Sequence, residues 1–497
     1  MKKLLIALAL LAAPVVAQEA KPEAKPDSSS GAPIAAPFRS VTKHSGTFGG
    51  QTIRYTAIAG EIHLKDADDK PTAAIFTTSY LKDNPEANRP VTFLWNGGPG
   101  SGSLWLHMGA FGPKCVDIPN ARDDGAPPYP INPNPDSLLD ATDIVFIDPV
   151  GTGWSKALGK TEAKSFWGVK QDAKAVAEVI RLWLNENGRW NAPKFIGGES
   201  YGTSRSAAVI EALNSGYNDV AVNGIILIST ILDFGLEAQV EGNEMQFVVT
   251  LPSMAAAGWY HDTVANKPAT VEAHVEAARQ FATGPYLAAL VKGAKLEQAE
   301  RAAVRARFAA LTGLSEGFLD RANLRVSPDR FYKELLRDRG VSIGRLDARY
   351  TGKDYDNAGE GPDNDPSFYG IDASYPAAMN AYARGELGVT LDRSYISIGG
   401  TPGGDWRIGA GRDAYLNLTP WIGKAMRENT AMGVFIGQGW YDFATPFFAA
   451  EYSLQRPGIP QDRLDFQYYQ SGHMMYVQAS DRTKLSTDIR RFIARYK

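Results

Sequence analysis

Five segments stand out along the chain as short, almost uninterrupted apolar runs: VTFLW (91–95), DIVFID (143–148), KFIG (194–197), NGIILIS (223–229) and MGVFIG (432–437). Runs this short and this apolar predict strands buried on both faces of a mostly parallel sheet. Before them, HSGTFGGQTIRYTAIAGEIHLKD and AAIFTTSYL alternate β-branched and aromatic with polar residues around Gly49-Gly50, the pattern of antiparallel strands. Between the second and third apolar runs the period changes. From Trp167 to Asn187, apolar residues at 169, 173, 176, 179, 180, 183 and 184 trace one face of a helix. Strands alternating with such helices predict an α/β fold, a sheet with helices on both faces.

The alternation stops between about 235 and 389. There the stretches 264–282, 295–312 and 327–338 are rich in Ala, Glu, Arg and Leu and predict a mainly helical insertion that interrupts the sheet. Its tail, TGKDYDNAGEGPDNDPSFYG (351–370), gathers Asp354, Asp356, Glu360, Asp363 and Asp365, but their spacing fits no EF-hand and reads as a solvated loop. The final RTKLSTDIRRFIARYK sets Ile489, Phe492, Ile493 and Tyr496 on one face of a helix that covers the sheet. The resulting division is 1–17 signal peptide, 18–37 leader, 38–234 and 390–497 catalytic domain, and 235–389 insertion. The signal peptide rests on Lys2 and Lys3, an apolar run of about a dozen residues, and small residues ending at Val15-Val16-Ala17. Residues 18–37 are Lys, Glu, Pro, Ser and Ala with no apolar period, which is the composition of a flexible leader. The expectation is an exported protein, periplasmic or extracellular, with no membrane anchor once the signal is cleaved.

Composition narrows the chemistry. The chain has 497 residues and a net charge of −3 from 52 basic and 55 acidic residues, so it has no basic excess to meet nucleic-acid phosphates. A single cysteine, Cys115, excludes an intrachain disulfide and any thiolate-caged metal or cluster. With no His-Glu-x-x-His or comparable cluster and no dinucleotide glycine fingerprint, neither a metallohydrolase nor a dinucleotide-dependent oxidoreductase is favoured, and no metal or cofactor is expected. Six histidines leave few candidates for acid–base work.

The segment NAPKFIGGESYGTSRSAAVIEAL runs a strand into Gly198-Glu199-Ser200-Tyr201-Gly202 and then into a helix. That is the context of a nucleophile elbow, in which flanking glycines let a tight turn push the serine hydroxyl outward. The rival reading is a glycine-rich turn with a capping serine. A serine nucleophile needs a base and an oxyanion site. Asn96-Gly97-Gly98-Pro99-Gly100 follows the strand VTFLW at its C-terminal end, where backbone N–H groups can meet a substrate oxygen. His473 follows the apolar FQYY and Asp442 follows MGVFIG, so Ser200, Asp442 and His473 occur in the chain order of an α/β-hydrolase, each just past a strand.

NGGPG, PVGTGWS (149–155), GESYG, the YDF segment and SGHM resemble, in register from about residue 41 onward, the landmarks of the serine carboxypeptidases, peptidase family S10. The chain would be a bacterial, disulfide-free member. The resemblance implies an α/β-hydrolase fold with a helical lid and peptide substrates. It implies Ser200 as nucleophile, His473 as general base and then acid, and Asp442 as the residue that orients His473. It further implies an oxyanion hole from the N–H groups of Gly98 and Tyr201, and binding of the substrate's C-terminal carboxylate by Asn96 and Glu199. The chain departs from the family in having Ser101 where a cysteine is usual, and Leu94 two residues before Asn96 where a tryptophan is usual, with Trp95 shifted by one. It has Ala110 where the family's second glutamate, which shares a proton with the one before the serine, would fall. Without that partner nothing in the pair keeps Glu199 protonated, and an ionised carboxylate repels a substrate carboxylate. An esterase or acyltransferase on the same triad is therefore the alternative, and an inactive binding protein on the same fold is another. One compensation is that His107, a turn before Ala110, supplies positive charge near the terminus site. The simpler reading is a histidine on a helix surface.

Overall fold

Gly49 and Gly50 close the first hairpin. Both have positive φ (53° and 80°), the two-residue turn whose twist suits paired strands, and Phe48 faces Gln51 across it. The hairpin joins β1 (Arg39–Phe48) to β2 (Gln51–Lys65), and β3 (Pro71–Lys82) continues the antiparallel run. Then come β4 (Val91–Trp95), β5 (Asp143–Ile147), β6 (Lys194–Ser200), β7 (Gly224–Thr230), β8 (Gly433–Gly439) and β9 (Leu464–Tyr469). The sheet order is β1-β2-β3-β5-β4-β6-β7-β8-β9, with Lys156–Ala157 pairing as a further short strand on β3. From β5 to β9 every neighbour is parallel. This computed structural model describes residues 34–216, 218–400, 406–407 and 415–497, and Ala36–Lys497 forms one compact unit. The expected signal peptide and nearly all of the expected leader lie outside the described residues.

The five apolar runs seen in the sequence are β4 to β8, and every residue of β4, β5, β7 and β8 is buried. Alternate side chains go to opposite faces. Phe93, Val145, Ile196, Ile225, Leu227 and Val434 pack with the helices Val169–Glu186, Tyr201–Leu213 and Thr419–Glu428. Leu94, Phe146, Phe195, Ile226 and Phe435 pack on the other side, where the C-terminal helix Ala479–Tyr496 lays down Leu485, Ile489 and Phe492. Each such aliphatic or aromatic side chain contributes about 1.5–3 kcal/mol by leaving water.

Between β7 and β8 the chain is mainly helical. The expected helices appear as Val271–Phe281, Gln298–Thr312 and Pro328–Glu334, the first shorter than the stretch 264–282 because the Thr270 side chain caps Ala273 N and starts it there. Their centre is a helix absent from the sequence reading, Met245–Tyr260, buried at all but a few positions. MQFVVTLPSMAAAGWY is apolar all round and holds Pro252 and a Val-Val-Thr run, so no amphipathic stripe betrays it. Among the described residues no helix is long and apolar enough to cross a membrane.

Candidate active site

β6 passes into the helix Tyr201–Leu213 with no residue between, so Ser200 itself makes the turn. Its backbone sits at φ 60°, ψ −130°, a region that costs a non-glycine residue about 1–3 kcal/mol. The flanking glycines are demanded by space. A Cβ on Gly198 would stand 2.3 Å from Gly202 O, and one on Gly202 would stand 3.0 Å from Trp95 O. Trp95 Nε1 donates to Gly202 O at 2.8 Å and ties the end of β4 to the first turn of the helix.

Asn96-Gly97-Gly98 folds directly against this turn. A Cβ on Gly97 would lie 2.5 Å from Tyr201 N and 2.6 Å from Glu199 O, and Gly98 has φ 100°, so the backbones of the loop and the elbow touch. The segments that carry the Gly98 and Tyr201 N–H groups are thereby brought together. The Asn96 side chain works in two directions: Oδ1 accepts from Leu106 N at 3.0 Å, and Nδ2 donates to Glu199 Oε2 at 3.2 Å.

His473 sits in the loop after β9, and Asp442 in the loop after β8. Their contact, His473 Nδ1 to Asp442 Oδ2, is 2.8 Å. The fully buried Asp442 carboxylate is saturated with donors: Ala444 N at 2.8 Å and Thr445 N at 3.0 Å on Oδ1, and Thr445 Oγ1 at 2.7 Å on Oδ2. Burial opposes a charge on His473, but Asp442 and then Glu199 outweigh it, so its pKa lies above the ordinary value. The His473 backbone is held by residues of the helical insertion: its N donates to Leu346 O at 2.7 Å, and Gly472 N donates to Asp347 Oδ2 at 3.1 Å. Its carbonyl accepts from Ser229 Oγ at the end of β7, at 2.6 Å.

Glu199 is buried, and burial pushes its carboxyl up to about 7 against the pull of His473, Tyr476 and Asn96. The Tyr476 hydroxyl donates to Glu199 Oε2 at 2.6 Å. A cavity of about 330 Å³ opens on these groups, lined by Asn96, Gly98, Glu199, Ser200 and His473, with Trp105, Arg345 and Met474 among its walls. It lies at the C-terminal ends of the parallel strands, where open α/β sheets take ligands. Chemically the arrangement holds a hydroxyl on a forced turn, an imidazole anchored through Nδ1, backbone donors beside the hydroxyl, and a carboxyl able to be neutral near pH 7.

Of the seven residues singled out in the sequence, Asn96, Gly98, Glu199, Ser200 and His473 line this cavity, while Asp442 is bonded to His473 and Tyr201 begins the helix directly after Ser200. The expectation for His107 is overturned. It is fully buried, stacked on Phe146 with ring centroids 4.2 Å apart and bonded to the Tyr80 hydroxyl at 2.6 Å, and burial lowers its pKa to about 3, so it brings no positive charge and is not a surface residue. Glu199, in turn, needs no proton-sharing carboxyl at position 110 to be neutral, since burial, with the charge of Asp442 adding to it, raises its pKa. The sequence reading missed Thr445, Leu346, Asp347 and Tyr476. Tyr476, three residues past His473, and Thr445, three residues past Asp442, stood near recognised motifs. In the acidic loop, Asp354 pairs with Lys333 at 2.6 Å and Glu360 with Arg330 at 2.9 Å, and among the described residues no group of three or more potential ligands could hold a metal ion.

Residues 54–251 match the family model described as serine carboxypeptidase. No curated protein matches the chain in sequence. Among solved structures, the prohormone-processing carboxypeptidase Kex1(delta)p of Saccharomyces cerevisiae superposes with a TM-score of 0.53 at 14% identity, covering 88% of this chain and 91% of that one. A soluble variant of the monoglyceride lipase of the same yeast gives 0.38 at 11% identity, over 88% and 95% of the two chains. At these identities the likeness to Kex1(delta)p shows a shared fold, that of the α/β-hydrolases.

Proposed function

We propose that the chain is a serine carboxypeptidase, the family whose model matches residues 54–251, and that it removes C-terminal residues from peptides through an acyl-enzyme formed on Ser200. His473 takes the Ser200 proton as the hydroxyl attacks the last peptide carbonyl, and Asp442 holds the imidazole through Nδ1 in the tautomer that leaves Nε2 free to accept. The N–H groups of Gly98 and Tyr201 stabilise the oxyanion. His473 then returns the proton to the departing amino acid, and water, deprotonated by the same imidazole, releases the shortened peptide.

The observation that carries the reading is Glu199. A buried carboxyl adjacent to the nucleophile, raised to about 7 and wired to Asn96, is of no use for acyl transfer as such but suits a partner that ends in a carboxylate. When protonated it can donate to that carboxylate, and Asn96 borders the same cavity. The charge pattern of the first 17 residues supports export as the route to such substrates.

The test compares one blocked dipeptide with its C-terminal amide and its ester. Cleavage of the free acid with a kcat/KM at least tenfold above the amide is expected. Turnover of the ester with no measurable cleavage of the free acid would replace this reading by an esterase or acyltransferase.

A further inference from the structure

We propose that Tyr476 is the positioning residue for Glu199, a phenol that anchors one carboxyl oxygen so that the other is presented to the terminal carboxylate of the substrate. The inference rests on the assignment of Glu199 to that carboxylate.

Both hydrogen bonds that Glu199 accepts fall on Oε2: from the Tyr476 hydroxyl at 2.6 Å and from Asn96 Nδ2 at 3.2 Å. Oε1 takes none among the described residues, and Glu199 lines the cavity beside Ser200. The two oxygens are thus sorted, one clamped by the protein and one left for a ligand. The clamp is rigid because Tyr476 is itself fully buried, in the turn Met475–Val477 that follows His473 and precedes the C-terminal helix. Its ring packs against the turn Leu106–Phe111, where a Cβ on Gly109 would stand 2.6 Å from the Tyr476 ring and 2.8 Å from the Tyr375 hydroxyl. Two phenols therefore fill the space beside the Gly109 backbone, one residue before Ala110.

A phenol and a carboxylic acid are different partners. Burial and the nearby Glu199 push the Tyr476 hydroxyl well above its ordinary pKa, so it keeps its proton across the working range and can donate it to Glu199 throughout. Glu199 then titrates alone instead of sharing a proton with another carboxyl. The groups that face it are His473 and Asp442 from the loops after β9 and β8, Asn96 after β4, Tyr476, and Tyr375 from the helix Ser374–Gly385. Of these, Tyr375 is buried with its hydroxyl unpartnered, and no hydrogen bond joins it to Glu199.

A donor on Oε2 favours the ionised carboxyl, so removing it raises the pH at which Glu199 loses its proton. The experiment measures KM against pH, from 5 to 9, for a blocked dipeptide with a free C-terminus, in the wild-type enzyme, Y476F, Y375F and E199Q. The wild-type KM is expected to rise tenfold per pH unit above about 7, and E199Q to lack that limb. Y476F is expected to move the limb about one unit to the alkaline side, the scale of one hydrogen bond to a charged group. Y375F is expected to coincide with wild type. A Y476F limb that stays at the wild-type pH, whatever happens to the absolute KM, overturns the inference and leaves the role of Glu199 standing. A wild-type limb that persists in E199Q, or a KM flat with pH, overturns the role of Glu199 and the inference together.

Discussion

The buried carboxyl next to the nucleophile should cost the protein stability, and the cost should depend on pH. Glu199 rises from an ordinary 4.5 to about 7 on folding. Between those values the native state holds a proton that the unfolded chain has released. Stability from this group is therefore greatest below about 4.5 and falls as pH rises toward 7, the opposite of a salt-bridged acid. At 1.36 kcal/mol per unit, a rise of that size corresponds to about 3 kcal/mol lost once Glu199 is ionised in both states. Roughly 1 kcal/mol of that is already lost at pH 5, so about 2 kcal/mol accrues between pH 5 and pH 8. Glu199→Gln removes the titration while keeping an oxygen for the Tyr476 hydroxyl, so it isolates the charge. Urea unfolding of both proteins in parallel at pH 5, 6, 7 and 8 should show the variant gaining on the wild type with pH, by about 2 kcal/mol or more across the range. A difference that is the same at every pH would refute the claim that Glu199 is held in a site that disfavours its charge. A wild type that gains on the variant as pH rises would mean the carboxylate is paired, not strained. The variant should at the same time lose affinity for free-carboxylate peptides at acid pH, where the protonated carboxyl costs the fold least.

Other outcomes follow from the same geometry. Asp442→Asn should keep the fold, because Ala444 N and Thr445 N still find an oxygen, but it forces His473 into the wrong tautomer; kcat should fall by about 10⁴-fold, equal to about 5 kcal/mol of transition-state stabilisation, and a variant within tenfold of wild type would exclude the triad. Ser200→Ala should abolish labelling by an organophosphonate and reduce turnover by at least about 10³-fold, and persistent labelling would place the nucleophile elsewhere. Gly198→Ala puts a Cβ 2.3 Å from Gly202 O, a backbone atom that cannot swing aside, so the variant should lose several kcal/mol or fail to accumulate as folded protein, whereas Gly188→Ala, at an open surface turn, should express. Mass spectrometry of protein recovered outside the cytoplasm should find Gln18 as the first residue; an unprocessed Met1 would contradict the signal peptide.

Much of the fold was legible because burial on both faces of a parallel strand leaves no room for polar residues, so β4 to β8 announce themselves as apolar runs. The helix Val169–Glu186 was legible for the complementary reason, one face in the core and one in water. Met245–Tyr260 was not, since a helix surrounded by other helices loses the contrast that periodicity depends on. At the site, local motifs carried most of what could be read. Gly198 and Gly202 are required within a few residues of Ser200, and Gly97 because two backbones touch. His107 was misread because its distance along the chain from Ala110 says nothing about which side of that turn faces Phe146 and Tyr80.

The sequence alone determined the class of the molecule: an α/β sheet, a serine on a glycine-flanked turn, an acid and a histidine in hydrolase order, and one cysteine that cannot form an intrachain disulfide. Those features are local in the chain, set by turn sterics, strand burial and residue counts. The protonation of Glu199 and its wiring to Tyr476 were decided only by tertiary structure. A carboxyl's pKa depends on how much water it loses and on which groups from distant segments surround it, and those segments, at 96, 375, 442 and 473–476, meet only once the sheet has closed.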